Sequence, residues 1–403
     1  MSLKIENLSL QEAQKLVLLS QRLPAPKLVG TARNATLSAI EHLGYIQIDT
    51  ISVIERAHHH TLYNRNPGYK SAHIQELIAD KKVYEYWAHA ASFLPMVDYR
   101  FSLPRKHAIA SGKQKHWFKQ DLKLMNLVTA RIKAEGPLMA KDFDKKGVKF
   151  GEWKTAPTKQ ALANLFMQGD LMITKRVNFH KVYDVTERVL PSTINTTTPT
   201  QEEYGRFLIT NYLRANGLGK LIEITYLLKN TKTLVTETLK QMLLNGEIVQ
   251  VRAADSDYYV LPESLELLNK PLARKKLHIL SPFDNLLIQR KRTSAIFGFD
   301  YLLECYVPVH KRKFGYFSLP ILWNGKLVAR MDSKADRKDK VFHIHELTLE
   351  ASLKNTEEFA AALHKELQLF LKFNKCTAVR LHKTSPTSFQ EYFEQSYPDL
   401  LSK

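Results

Sequence analysis

Two stretches, LANLFMQGDLMITKR (Leu162–Arg176) and LKQMLLNGEIVQVR (Leu239–Arg252), are copies of one pattern: an amphipathic run, a glycine, an acid and a β-prone run. A pattern that recurs within one chain signals a repeated structural unit, which constrains the fold more than any single helix or strand. A second β-run follows each copy, KVYDVTERVLP and DYYVLPE. Two further helical runs precede each: DLKLMNLVTARIKAEG and MAKDFDKK in the first, EEYGRFLITNYLRANG and KLIEITYLLK in the second. Three helices followed by a β-hairpin is the order of a winged helix, a module that binds DNA or serves only in packing and protein contacts. The linker PSTINTTTPTQEE separates the copies.

The flanking segments read differently. Ser9, with Glu12 three residues on, predicts a capped helix to about Ser20, broken by LPAPK. A second helix is expected over Asn34–Leu43, ended by Gly44, then a strand Tyr45–Asp49 and a helix through VIERAHHHTLYNR, closed by NPGY. From about Lys270 the pattern becomes strands joined by turns at Pro, Gly and Asn, with one amphipathic helix over Glu357–Phe373. The expected class is α+β: tandem winged-helix modules followed by a β-barrel-like domain, divided as 1–103, 104–192, 200–268 and 270–403.

The 403 residues, 44% of them hydrophobic, are enough for about two to four domains with real cores. A net charge of +19 favours a polyanionic partner, nucleic acid before an acidic membrane surface. The charge is concentrated: residues 104–190 hold eighteen Lys/Arg against eight Asp/Glu. Two cysteines, Cys305 and Cys376, build neither a disulfide framework nor a zinc cluster. The polar start MSLKIENLSLQEAQKL does not read as a signal peptide, and no run approaches the roughly twenty apolar residues of a membrane span. A reduced, cytoplasmic, monomeric protein with no membrane partner is expected.

Phosphate-loop, dinucleotide-fold, zinc-protease and C-x-x-C signatures are all missing, so no cofactor is implied. His58, His59 and His60 form a run, but consecutive helical side chains point about 100° apart and cannot share one metal ion. One or two are expected to pack while another faces a ligand or phosphate. In GYIQIDT (Gly44–Thr50), strand alternation turns Ile46 and Ile48 inward and Gln47 and Asp49 together outward. Two readings are open at this point. Gln47 and Asp49 form either the solvated face of an edge strand or a carboxylate and a non-titrating amide placed to hold water.

The runs LGYIQIDTISVIERAHHHTLYNR, SPFDNLLIQRKRT, IFGFDYLLECYVP and KFGYFSLPILWNGKLVARMDSKADR resemble the AlkZ/YcaQ family of bacterial DNA glycosylases, over essentially the whole chain. The resemblance implies tandem winged helices, including one in residues 1 to about 100, and a C-terminal β-barrel. It implies excision of alkylated bases and unhooking of crosslinks joined through guanine N7. It also implies a catalytic motif of glutamine, an apolar residue, then glutamine or aspartate, which here is Gln47-Ile48-Asp49, the aspartate version of the YcaQ branch. The expected partner is double-stranded DNA carrying alkylated bases or crosslinks, acted on at the nucleoid. The candidate DNA contacts are Arg56, His58 and His59 beside the motif, Lys159 in the first repeat, Lys175, Arg176, His180 and Lys181 on its wing, and Arg290 and Arg292. Chemistry agrees with a single carboxylate. Sugar hydrolases use two carboxyl groups, one to protonate the leaving group, but an N7-alkylated guanine is already cationic and leaves without that proton. A winged-helix transcription regulator without catalysis, and a glycosylase with a lysine nucleophile, are the alternatives.

Overall fold

The computed structural model describes residues 6–27, 30–143, 155–253 and 255–401. Three segments of the chain repeat one order: helix, short strand, two helical segments, β-hairpin. In the first they are Ala32–Leu43, Ile46–Gln47, Ala57–Arg65, Ala72–Ala79 and the hairpin Val83–Trp87/Ala91–Pro95. The second has Leu122–Glu135, Leu138–Met139, the 3-10 turn Ala140–Phe143, Pro157–Gln168 and Leu171–Val177/His180–Val185. The third has Gln201–Asn216, Leu218–Gly219, Leu221–Ile224, Lys232–Leu244 and Val249–Ala253/Ser256–Val260. In all three sheets the short strand pairs with the second strand of the hairpin, which pairs with the first.

Local sequence explains the boundaries. Thr31, Asp121 and Thr200 cap the leading helices by accepting from backbone N–H groups in the first turn. Gly44 and Gly169 end their helices at φ 77° and 94°, a region that costs an L-residue more than glycine. The second hairpin turns through Asn178 and Phe179, both at positive φ. The first unit, expected from the resemblance alone, thus has the same order as the two copies legible in the sequence.

Two expectations need correction. The strand expected over Tyr45–Asp49 forms ladder pairs only at Ile46 and Gln47, with a last bond from the Ile48 N–H to the Ala91 carbonyl. The helix through the histidines starts at Ala57, so residues 50–56 are irregular. The N-terminal segment packs on the third unit as well as on the first, where Arg65 donates to Gln21 and Arg22 donates to Ser38. Strand Glu6–Asn7 pairs parallel with Val251 and Arg252 of the third unit. Helix Leu10–Ser20, with the expected Ser9/Glu12 capping box, buries Ala13, Leu16 and Val17 among Leu218, Val251, Leu286 and Leu322. Of the helical run MAKDFDKK, Asp144–Lys146 lie outside the described residues.

The C-terminal sheet runs His278–Ile279, Ser318–Trp323, Lys326–Asp336, Val341–Leu349, Ala378–Leu381, with Thr384–Ser385 also pairing with Val341–Leu349. Register shifts at Ile321/Leu322 and Asp332/Ser333 bend it, and it curls into a half-barrel that does not close. Helix Thr356–Asn374 packs on it through Phe359, Leu363, Leu367 and Phe370, all fully buried. Each such side chain contributes about 1.5–3 kcal/mol by leaving water.

Candidate active site

The Gln47-Ile48-Asp49 motif lies where the first unit meets the C-terminal sheet. Ile46 and Ile48 point into the core of the first unit with Leu43, Leu62 and Phe93, as alternation predicts. The chain then crosses over: Ile51, Val53 and Ile54 pack in the core of the C-terminal sheet. Two hydrogen bonds fasten the crossing, from the Ala335 N–H to the Val53 carbonyl and from the Glu55 N–H to the Asn374 side-chain Oδ1, both 2.9 Å. The motif is therefore held from two sides by apolar burial.

Gln47 is not on a solvated face. It is 9% exposed, and its Oε1 accepts from His89 Nε2 at 2.9 Å. An amide oxygen only accepts, so the contact places the His89 proton on Nε2. Burial pushes His89 down to about 4, which keeps it neutral at pH 7. The Gln47 NH₂ has no acceptor among the described residues and remains a free donor. His89 also packs edge-on against Tyr45 and lines a cavity of about 170 Å³ between the first and third units, with Tyr86, Tyr204, Phe207 and Tyr226.

Asp49 is partly buried. Its Oδ1 accepts from the Ile51 N–H at 2.7 Å, and no Lys or Arg pairs with it among the described residues. Desolvation raises its pKa, opposed by the Ile51 and Thr50 N–H groups. Its charge in turn pushes up the Cys305 thiol and the Tyr306 phenol, after burial of each. An uncompensated carboxylate in a desolvated setting is a poised proton acceptor.

The candidate DNA contacts divide sharply. Lys159, Lys175 and His180 are exposed. Lys175 pairs with Val182 across the second hairpin, and His180 pairs with Val177. The others turn inward. Arg176 forms a two-pronged ion pair with Glu85 of the first unit, 2.7 and 2.8 Å, and Lys181 reaches the same carboxylate at 3.2 Å. The anion that a basic hairpin requires is thus a buried glutamate of the protein itself. Arg56 and Arg176 both stack on Phe179 at the hairpin tip, 3.9 and 4.3 Å from its centre.

His58 is buried against Phe93 and Phe179, and burial lowers its pKa far below 6.5, so it carries no charge for a phosphate. His59 shares a 2.6 Å hydrogen bond with the Tyr69 hydroxyl and is pushed down to about 4 by burial. His60 bonds to the Ile279 carbonyl. Arg290 donates to the Leu287 and Pro282 carbonyls, and buried Arg292 to those of Asn216 and Leu218. Lys291, between them, is the exposed cation of that run.

Composition and spacing did not single out Glu85, His89 or Tyr306. Glu85 and His89 each meet a partner far away in sequence, and Tyr306 is marked only by its exposure, so no local signal picks them out. Asp284 of the SPFDN run is structural: with Arg65 it forms a fully buried two-pronged pair, 2.6 and 2.7 Å, completed by Gln21. Among the described residues no helix is long and apolar enough to cross a membrane, and no three His, Cys, Asp or Glu side chains are grouped to hold a metal ion.

The structure is similar to that of Streptomyces sahachiroi DNA glycosylase AlkZ, with a TM-score of 0.64 over 93% of this chain and 100% of that one, at 15% sequence identity. The family model described as DNA glycosylase AlkZ-like matches residues 40–373, from the helix before the motif through the helix that packs on the half-barrel. The chain belongs to the AlkZ-like DNA glycosylase family.

Proposed function

We propose that this DNA glycosylase hydrolyses the N-glycosidic bond of cationic N7-alkylated purines, including N7-guanine interstrand crosslinks, with Asp49 and Gln47 as its catalytic pair. The observation that carries the reading is Asp49 itself, a partly desolvated carboxylate without a cationic partner, two residues from an amide whose donor face is free. The Gln47 NH₂ holds a water by its oxygen, and Asp49 takes the proton as that oxygen bonds to C1′. The C1′–N9 bond breaks and its electron pair neutralises the cationic purine. The carboxylate charge stabilises the sugar cation that develops on the way. No protonated second carboxyl is needed, and the reaction requires no lysine nucleophile, so the enzyme is monofunctional.

The three repeated units fit winged-helix modules that hold duplex DNA, and the exposed Lys159, Lys175 and His180 of the second unit suit its phosphates. The protein acts as a monomer on nucleoid DNA in the cytoplasm. Incubation with duplex carrying N7-methylguanine, followed by alkali, tests the activity. Strand breaks are expected, and their absence there and with an N7-linked crosslink would leave a DNA-binding regulator as the better description. In single-turnover kinetics with saturating protein, Asp49→Asn should lose about 10²- to 10⁴-fold in rate with DNA affinity nearly unchanged. A wild-type rate in that variant removes Asp49 from the active site.

A further inference from the structure

Between helix Arg290–Phe297 and strand Ser318–Trp323 the chain makes a closed loop whose outer surface is apolar at its tip and basic at its flank. Glu304, 4% exposed, draws the loop shut: its carboxylate accepts from the Lys313 N–H at 2.9 and 3.0 Å and from the Phe314 N–H at 2.7 Å. Arg312 Nε donates across the loop to the Val307 carbonyl at 2.8 Å. A second buried carboxylate, Asp332, accepts from the Phe317 N–H at 2.7 Å and lies where a Cβ on Gly315 would stand. Two desolvated acids thus fix the backbone at both ends, so the loop is shaped in advance of any partner.

Its side chains do not bury what a folded protein ordinarily buries. Tyr306 is 77% exposed, Val309 75% and Leu302 61%. His310, Lys311 and Lys313 are exposed beside them. Underneath, Leu303, Phe317 and Cys305 share the hydrophobic cluster that holds Ile51, Val53 and Ile54, the residues following Asp49. Asp49 is near enough for its charge to act on both Cys305 and Tyr306, which sets this end of the loop beside the proposed catalytic carboxylate. Exposed apolar groups ringed by cations fit a polyanion with an apolar interior, which a stacked duplex is.

We propose that the 302–316 loop is a wedge that enters the base stack at the lesion, with Tyr306 as the inserted positioning residue, Val309 beside it, and Lys311 and Lys313 on the adjoining phosphates. This rests on the reading of Asp49 as the catalytic base. Opening the step brings C1′ of the damaged nucleotide to Asp49.

The test uses the full chain and duplex carrying 2-aminopurine next to an N7-methylguanine. With Asp49→Asn, which binds without turning over, fluorescence should rise on binding as the step unstacks. Adding Tyr306→Ala should abolish the rise, and Tyr306→Phe should keep it. With Asp49 intact, Tyr306→Ala should slow excision about 10- to 100-fold from a matched duplex but less than threefold from single-stranded DNA, where there is no stack to open. The exposed position should leave the melting temperature unchanged, and Lys311→Ala with Lys313→Ala should flatten the salt dependence of binding by roughly 0.9 per contact. A fluorescence rise that survives Tyr306→Ala, or equal slowing on both substrates, overturns the wedge while the glycosylase reading stands. If the wild type excises nothing, that reading fails, and the fluorescence arm still decides whether the loop enters the stack.

Discussion

Glu85 should be worth far more to this fold than an exposed ion-pair partner, because it is buried between two units. It lies on strand Val83–Trp87 of the first unit, while Arg176 and Lys181 come from the second hairpin. The Glu85 and Arg176 side chains are 1% and 9% exposed. Glu85→Ala leaves the Arg176 guanidinium desolvated with the Phe179 carbonyl as its remaining partner, at 2.7 Å. Exposed ion pairs contribute about 0–1 kcal/mol, but removing one member of a buried pair costs about 3–5 kcal/mol because the other charge stays buried. At about 1.4 kcal/mol per decade, the folding constant should fall by about 10²- to 10⁴-fold. Urea unfolding followed through Trp87 and Trp117, whose rings are 5.0 Å apart, reads the change as a lower midpoint at similar slope. Glu85→Leu combined with Arg176→Met should recover most of the loss, since well-packed apolar groups replace such pairs without penalty. A loss below about 1 kcal/mol in Glu85→Ala would show that water reaches the pair and that the hairpin is free to meet DNA.

Other expectations follow from the same geometry. The excision rate should fall on acidification with an inflection above the ordinary aspartate value of about 3.9, because burial raises Asp49 and only its ionised form accepts the proton. His89→Gln removes the imidazole that titrates at about 4, and the remaining limb belongs to Asp49. That profile must be read on folded protein. His60 and His278 are buried neutral and pushed to about 4 and about 3. The unfolded chain therefore binds their protons first, and stability present above about pH 6.5 drains away as pH falls toward those values, as acid melts would show. Gln47→Ala should slow excision about five- to tenfold, the equivalent of one hydrogen bond, and lower the melting temperature by orphaning His89. Lys159→Ala with Lys175→Ala should weaken binding to damaged and undamaged duplex alike and flatten the salt slope, whereas Arg176→Ala should act through stability.

The sequence by itself determined what depends on near neighbours. The repeat around Gly169 and Gly246, the Ser9 and Thr200 caps, the long helix near Glu357 and the turn at Asn324–Gly325 all follow from residues within a few positions of one another. So does the inward pointing of Ile46 and Ile48 on either side of Gln47. The tertiary structure decided which charges face the solvent and which are spent inside, because that depends on partners that no spacing rule reaches. Gln47 finds His89 at a separation of 42 residues, Arg176 finds Glu85 at 91, and Arg65 finds Asp284 at 219. A count of basic residues treats Lys175 and Arg176 alike, although one meets water and the other a buried carboxylate. Adjacent strand residues point to opposite faces, and only the unit packed against one of those faces settles which of the two is free.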